Sequence, residues 1–276
     1  MLYFIATPLG NLNDLSERAL QTLRQVDAVA AEDTRRTLTL LTHFGLQKPL
    51  FAFHQHNERE MIPKIVERLQ KGENLALVSD AGYPCISDAG ALLTETLRDL
   101  NLPYTCVPGP SAVDLALVLS GLPTFRFAFL GFVERAGKER TKDLMKIAEA
   151  EYTTVVYESP NRVLELLTDL QPLLGKRRVA LLREMTKVYE ECVRGEISQV
   201  LEELKSREKI KGECVLVFEG GKALEKISGL SFQEAVSKVV LLRKKADLSL
   251  SQAAQAVALV TGFGRKELYN SALELE

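Results

Sequence analysis

The sequence predicts an α/β fold in two domains followed by a small helical extension, on three observations. Residues 1–120 alternate short apolar runs with amphipathic stretches of helical period, the pattern of a parallel sheet with helices on its faces. Turn-rich loops sit at three of the strand-to-helix junctions: Thr7-Pro8-Leu9-Gly10-Asn11, Ser79 to Gly90, and Pro108-Gly109-Pro110-Ser111-Ala112. After Gly220-Gly221 the pattern becomes purely helical. A chain of 276 residues is long enough for such domains to bury their own cores.

In order, residues 2–6 read as a strand and 15–26 as a helix with apolar Leu15, Ala19, Leu20, Leu23 and Val26 on one face, capped by Asp14 or Ser16. Strand character returns at 27–31, then a helix over 34–44 closed by Gly45, and a strand over 50–53. The amphipathic stretch 58–71 contains Pro63, which implies a start nearer Ile62 or a kink. Strands at 75–78 and 104–107 alternate with helices at 91–100 and 112–120. The first domain is therefore set at 1–115. A second α/β domain, 116–221, opens with an aromatic strand over 125–132 and a charged segment, 134–142, that reads either as a functional basic stretch or as a solvated charged loop, with Gly137 suggesting mobility. A helix reaching Ala150 follows, then strands at 153–157, 179–182 and 214–218, an extended 190–194, and helices at 162–174 and 198–205. The extension, 228–276, carries helices over 231–245, 250–260 and 265–273. Ser249 or Ser251 caps the second, and Thr261-Gly262-Phe263-Gly264 ends it. This is a helix-turn-helix-like pattern or a packing appendage.

Composition is that of an ordinary soluble globular protein, 46% hydrophobic and 26% charged, and the formal net charge of -2 gives no global field to recruit a polyanion. The N-terminal residues lack the basic and long apolar regions of a signal peptide, and no run approaches a membrane span, so a cytoplasmic protein is expected. Cys85, Cys106, Cys192 and Cys214 form no CxxC pair; buried free thiols are expected, and no metal. His54 and His56 read as surface or hydrogen-bonding histidines, with a substrate contact as the second reading and a metal as the third.

The three loops share one chemistry. Glycine allows close backbone approach and positive φ, proline stiffens the turn, and backbone groups freed at strand ends can read an adenine or amino-acid moiety. Neither GxxxxGK[ST] nor GxGxxG occurs, so a triphosphate cradle and a dinucleotide fold are unsupported. A compact, mostly neutral or zwitterionic ligand is expected. The cluster Glu32-Asp33-Thr34-Arg35-Arg36 reads either as a solvated helix start capped by Asp33 or as a functional group of charges.

The loops also carry a resemblance. Ile5-Ala6-Thr7-Pro8-Leu9-Gly10-Asn11-Leu12, Ala31-Glu32-Asp33-Thr34-Arg35, Leu77 to Pro84, Ile86-Ser87-Asp88, Pro108 to Ala112 and Tyr157-Glu158-Ser159-Pro160-Asn161-Arg162 fall in the order found in the tetrapyrrole-methylase superfamily. The first loop resembles the ribosomal RNA small-subunit methyltransferase I branch rather than the GxGPGD-type loop of the tetrapyrrole and diphthine branches. The branch commonly has Thr, Gly and Pro where this chain has Tyr83, Cys85 and Ala89, and His where it has Asn161.

The resemblance implies a two-domain tetrapyrrole-methylase-like fold with a cofactor cleft between the domains and a homodimer. The implied activity is S-adenosylmethionine-dependent 2′-O-methylation of a cytidine in the decoding region of 16S rRNA, within the 30S subunit. It implies cofactor contacts from Leu9, Asp80, Ala81, Gly82, Tyr83, Ile86, Ser111, Ala112, Tyr157 and Glu158. Glu32 or Asp33 is placed to act as general base, and Arg35 to lower the hydroxyl pKa. Candidates to hold RNA phosphates are Arg35, Arg36, Arg135, Lys138, Arg140, Arg162, Arg183 and Lys187, with a basic spot at Arg243-Lys244-Lys245. Two other functions share these motifs: methylation of a tetrapyrrole or other small molecule, and non-catalytic ribosome binding or cofactor sensing.

Overall fold

The computed structural model describes residues 1–221, 230–246 and 248–275. Its contacts divide into two units, Met1–Leu115 with Glu184–Glu190, and Ala116–Arg183 with the chain from Glu191 onward.

The first unit contains β1 (Leu2–Ile5), α1 (Glu17–Gln25), β2 (Ala28–Ala31), α2 (Thr34–His43), β3 (Leu50–Ala52), α3 (Glu58–Gln70), β4 (Leu75–Val78), α4 (Ala91–Asp99), β5 (Tyr104–Val107) and the start of α5 (Ala112–Ser120). The five strands lie in the order β3-β2-β4-β1-β5, all parallel. Period-2 alternation sorts their side chains between two cores. Phe4, Ala30 and Leu77 pack with Ile62, Ile65, Leu93 and Leu97 of α3 and α4. Ile5, Val29 and Val78 pack with Ala19, Leu23 and Leu41 of α1 and α2. Burial on both faces explains why these strands read as unbroken apolar runs. The two edge strands are the exceptions: β3 is half-buried throughout, and β5 exposes Tyr104 and Cys106.

Local chemistry sets the helix starts. Ser16, rather than Asp14, caps α1, its hydroxyl accepting from the Ala19 N–H at 3.1 Å. Helix α3 starts at Glu58, four residues before Ile62, with Pro63 inside it. Pro63 forfeits a backbone hydrogen bond, but the buried Ile62, Ile65 and Leu69 hold the helix, and the Glu58 carboxylate accepts the N–H groups of Gly90 and Leu93 at the start of α4.

The second unit contains β6 (Phe127–Phe132), α6 (Gly137–Glu149), β7 (Thr153–Glu158), α7 (Val163–Leu174), β8 (Arg178–Arg183), β9 (Glu191–Glu196), α8 (Ile197–Lys205) and β10 (Cys214–Phe218). Its order is β6-β7-β10-β8-β9, and only β6 and β7 pair in parallel. Helix α7 buries six apolar side chains in its core. Two expectations change here. Much of the charged stretch 134–142 is the first turns of α6, because Arg140, Leu144, Ile147 and Ala148 share a buried face. Residues Glu184–Glu190, at the tip of the β8–β9 hairpin, group with the first unit, where the Lys187 stem fills the space a Cβ on Gly10 would need.

Helices α9 (Phe232–Ala246), α10 (Leu250–Thr261) and α11 (Arg265–Leu273) follow. Residues 228, 229, 247 and 276 of the expected extension lie outside the described residues. Ser249 caps α10 in a capping box with Gln252, and Gly262 ends it at φ +80°. The three helices share a core of Val236, Val239, Leu250, Ala253, Val257 and Leu268. Small residues let α10 approach its neighbours, and Ala256 joins the core of the mixed sheet. Of the four thiols only Cys214 is buried; Cys85 and Cys192 are half-buried and Cys106 is exposed, because β5 has no neighbour on its outer edge.

Candidate functional site

In the first unit the strand order sets the loops after β2, β4, β1 and β5 side by side at the C-terminal edge of a parallel sheet, where such folds bind small ligands. The loops are tied to one another through backbone. Thr7 and Gly82 exchange two hydrogen bonds of 2.9 Å, and the buried Thr7 Oγ1 donates to the Ser79 carbonyl at 3.0 Å. Gly82 sits at φ +76°, a conformation side chains resist, with Leu9 packed against it. The Tyr83 hydroxyl accepts the Gly109 N–H at 3.0 Å, joining the β4 loop to the β5 loop. A Cβ on Gly109 would lie 3.0 Å from the Ala6 Cβ, a contact tight enough to favour glycine there. Ser111 Oγ accepts the Asp114 N–H at 3.3 Å and begins α5, next to Ala112.

Carboxylates dominate this edge. Glu32 accepts the Asp80 N–H at 3.2 Å, and Asp80 accepts the Asp33 N–H at 3.1 Å while pairing with Arg36 at 3.2 Å. Asp33 caps α2 and pairs with Arg35 at 2.6 Å, which holds its carboxyl well below the usual carboxylate range. That pairing makes Asp33 a weak base, while the side chain of Arg35 stays largely exposed. Farther along the β4 loop, burial and then the charges of Glu32 and Asp80 push Asp88 up to about 7. Its segment is strained at Cys85 and Ser87, with φ of 71° and 64°, while Gly90 takes φ 129°, which glycine accepts. Among the described residues, no group of three His, Cys, Asp or Glu could hold a metal ion. A site this acidic suits a ligand carrying positive charge and hydroxyl donors, a sharper reading than a mostly neutral one.

Asp88 is not among the residues to which the sequence motifs assign a role. The available signal was its repeat of Ser79-Asp80 as Ser87-Asp88 in one loop. His54 and His56 follow β3 with rings 5.9 Å apart; His54 Nδ1 is buried with no hydrogen-bond partner among the described residues.

In the second unit, Tyr157 near the end of β7 packs edge-on against Phe129 and Phe132, with centroids 4.7 and 5.5 Å away. The Glu158 side chain is wholly buried; one oxygen accepts the Ser159 N–H at 2.8 Å and the other lies 3.4 Å from Arg162. Burial pushes this carboxyl up. Its side chain has no surface for a ligand, which leaves only its backbone for the expected cofactor contact. Arg162 donates to the carbonyls of Val133 and Glu134. Arg140, also buried, donates to Glu134 and pairs with Asp169 at 2.8 Å and Glu165 at 3.4 Å. Arg140 and Arg162 are therefore struts rather than phosphate contacts. Arg183 pairs with Glu191, and Lys187 with Glu184. Arg135 and Lys138 are exposed and make no ion pair among the described residues, and Ile86 is exposed in the β4 loop. Lys244 is exposed, whereas the side chain of Lys245 lies outside the described residues.

The family model of the Tetrapyrrole (Corrin/Porphyrin) Methylases matches residues 1–201. The ribosomal RNA small subunit methyltransferase I of Haemophilus influenzae is 42% identical over 275 residues, 99% of this chain and 96% of the relative. That of Escherichia coli O157:H7 is 42% identical over 276 residues, 99% and 94% of the two chains. A solved structure of uroporphyrin-III C-methyl transferase from Thermus thermophilus, complexed with S-adenyl homocysteine, has the same fold, with a TM-score of 0.55 at 19% identity, covering 78% of this chain and 96% of the other. The chain belongs to the tetrapyrrole (corrin/porphyrin) methylase family, in its ribosomal RNA small subunit methyltransferase I branch.

Proposed function

We propose that this chain is an S-adenosylmethionine-dependent methyltransferase of 16S rRNA, acting on the 2′-hydroxyl of a cytidine in the decoding region. Full-length likeness to relatives named for small-subunit rRNA methylation supports the substrate class. The structural observation that carries the reading is the acidic, backbone-rich edge of the parallel sheet. Gly82 at φ +76° and the tight approach of Gly109 to Ala6 bring together the loops bearing Leu9, Ala81, Tyr83, Ile86, Ser111 and Ala112. Asp80, Glu32 and Asp88 complement an ammonium, a sulfonium or ribose hydroxyls. These residues fit S-adenosylmethionine, which when bound supplies a methyl group already activated on a sulfonium.

The protein's own task is then position and proton handling. Glu32 holds the β4 loop through the Asp80 N–H, and Tyr83 holds it to the β5 loop. Exposed Arg36, Arg135 and Lys138 provide phosphate contacts that set register. Action as a cytoplasmic homodimer on the 30S subunit completes the proposal. Among the described residues no helix is long and apolar enough to cross a membrane.

The test offers labelled cofactor with 30S particles, free 16S rRNA and uroporphyrinogen in separate reactions. Label on a ribose 2′-oxygen of the RNA is expected. Label in the tetrapyrrole alone would mark a small-molecule methylase, and cofactor binding without transfer would mark a ribosome-binding protein.

A further inference from the structure

We propose that Tyr189, at the tip of the β8–β9 hairpin, is a stacking platform for one unpaired base of the RNA substrate, a role that rests on the rRNA reading above. The tip, Glu184–Glu190, packs with the first unit. The Lys187 stem fills the space a Cβ on Gly10 would need, and Leu9, beside Gly10, packs against Gly82 of the β4 loop. Two residues of chain span at most about 7 Å, so the Tyr189 backbone stays close to Lys187 and to the loop after β1. The tip is held by its own backbone. Glu184 and Thr186 take φ of 52° and 67°. The Lys187 N–H donates to the Glu184 carbonyl and the Glu190 N–H to the Lys187 carbonyl, each at 3.1 Å, and the Thr186 N–H donates to the Glu190 carboxylate at 2.7 Å. Met185 is turned inward and buried, whereas Val188 is 93% exposed and Tyr189 74%. The Tyr189 hydroxyl makes no hydrogen bond among the described residues. A lone exposed apolar side chain is ordinary, but an adjacent pair on a fixed turn beside a ligand edge marks a contact surface.

The size and charge of the feature select its occupant. A stable dimer needs about 800 Å² from each partner, whereas an aromatic side chain offers about 150–250 Å² and a valine less. That area matches the face of one base. Single-stranded RNA is held by stacking its splayed bases on aromatic rings, and a ring on a fixed turn loses little freedom in doing so. The carboxylates around the ring are already engaged: Glu184 pairs with Lys187, Glu190 accepts the Thr186 N–H, and Glu191 pairs with Arg183 and Arg207. Repulsion of the RNA backbone is reduced accordingly. Stacking next to the loop after β1 would fix the register of the nucleotide chain at the ligand edge, so Tyr189 acts on substrate binding rather than on methyl transfer itself.

The test uses the full chain in single-turnover methylation of 30S particles, with S-adenosylhomocysteine affinity measured by calorimetry. Tyr189→Ala should raise the 30S concentration giving half the maximal rate by about 5- to 100-fold, the worth of one stacked base. The rate at saturating 30S and the cofactor affinity should stay within about threefold of wild type. Tyr189→Phe should restore the half-saturation point, and Tyr189→Leu, apolar but without a ring face, should not. The chain contains no tryptophan, so Tyr189→Trp supplies a single indole reporter. Its emission should be quenched by free 16S rRNA at concentrations where filter retention shows the complex. An unchanged half-saturation point in Tyr189→Ala overturns the proposal, as does recovery by Leu as complete as by Phe, or emission left unquenched in the retained complex. A smaller sedimenting mass for Tyr189→Ala than for wild type would make the tip a contact with a second copy, and also overturns it. A wild type that neither binds nor methylates rRNA overturns the rRNA reading instead, and this proposal with it.

Discussion

Two charged neighbourhoods drawn from the same set of motifs are built in opposite ways. At the edge of the parallel sheet, carboxylates accumulate, the backbone is strained and Asp88 is left without a partner. At the corner between β7 and α7 most charges are answered: Arg162 by two carbonyls, Arg140 by Asp169, and one Glu158 oxygen by the Ser159 N–H, while the other lies 3.4 Å from Arg162 with no hydrogen bond among the described residues. The first arrangement gives up stability and keeps reactive groups open. The second spends its arginines on holding the corner together. Membership of a motif therefore does not separate chemistry from scaffolding; the state of the hydrogen bonds does.

The sharpest way to break the comparison is to remove a strut. Arg140→Ala should destabilise the protein by about 1–3 kcal/mol, because the buried guanidinium loses its bond to the partly exposed Asp169 and the Glu134 carbonyl keeps only Arg162. Urea unfolding measures it, and a loss no larger than that of an exposed arginine would mean the corner is not a strut.

Asp88→Asn should do the reverse. A carboxyl at about 7 when folded, against an ordinary 3.8, binds its proton more tightly in the folded state. Ionisation therefore costs stability as pH rises from about 4 through 7, and the variant escapes that cost. After discounting for partial exposure, it should exceed wild type by about 1–2 kcal/mol at about pH 8 and match it below about pH 4. Melting curves at both pH values check this. A pH-independent difference would show that the carboxylate is not held under strain.

Ser16→Ala should cost about 1 kcal/mol through loss of the α1 cap, and slightly more if the 3.3 Å contact from its hydroxyl to the Pro108 carbonyl helps hold the β5 loop. Chemical denaturation resolves a change of that size. The smallest effect belongs to exposed Lys138. Lys138→Ala should leave stability unchanged. It should weaken binding to 16S rRNA and lower the slope of log affinity against log salt by about 0.7, the share of one phosphate. An unchanged slope would remove it from the RNA surface.

Much of the first unit was legible because parallel strands buried on both faces leave short unbroken apolar runs, and the turns between them need glycine and proline. The loops that form the ligand edge were visible for the same reason. The stretch 134–142 was misread because its charges dominate the local pattern, while Arg140 points into the core and finds Asp169, twenty-nine positions away in the chain. Asp33 looked available because sequence does not reveal that Arg35 would pair with it.

The sequence by itself determined the α/β character, the positions of the loops and the membership of a methylase family, since these depend on local periodicity, turn chemistry and ordered motifs. Only the tertiary structure decided which charged residues are free to act. Strand order brings Glu32, Asp80 and Asp88 to one edge from loops far apart in the chain, and the environment of a carboxylate, not its identity, sets its proton affinity.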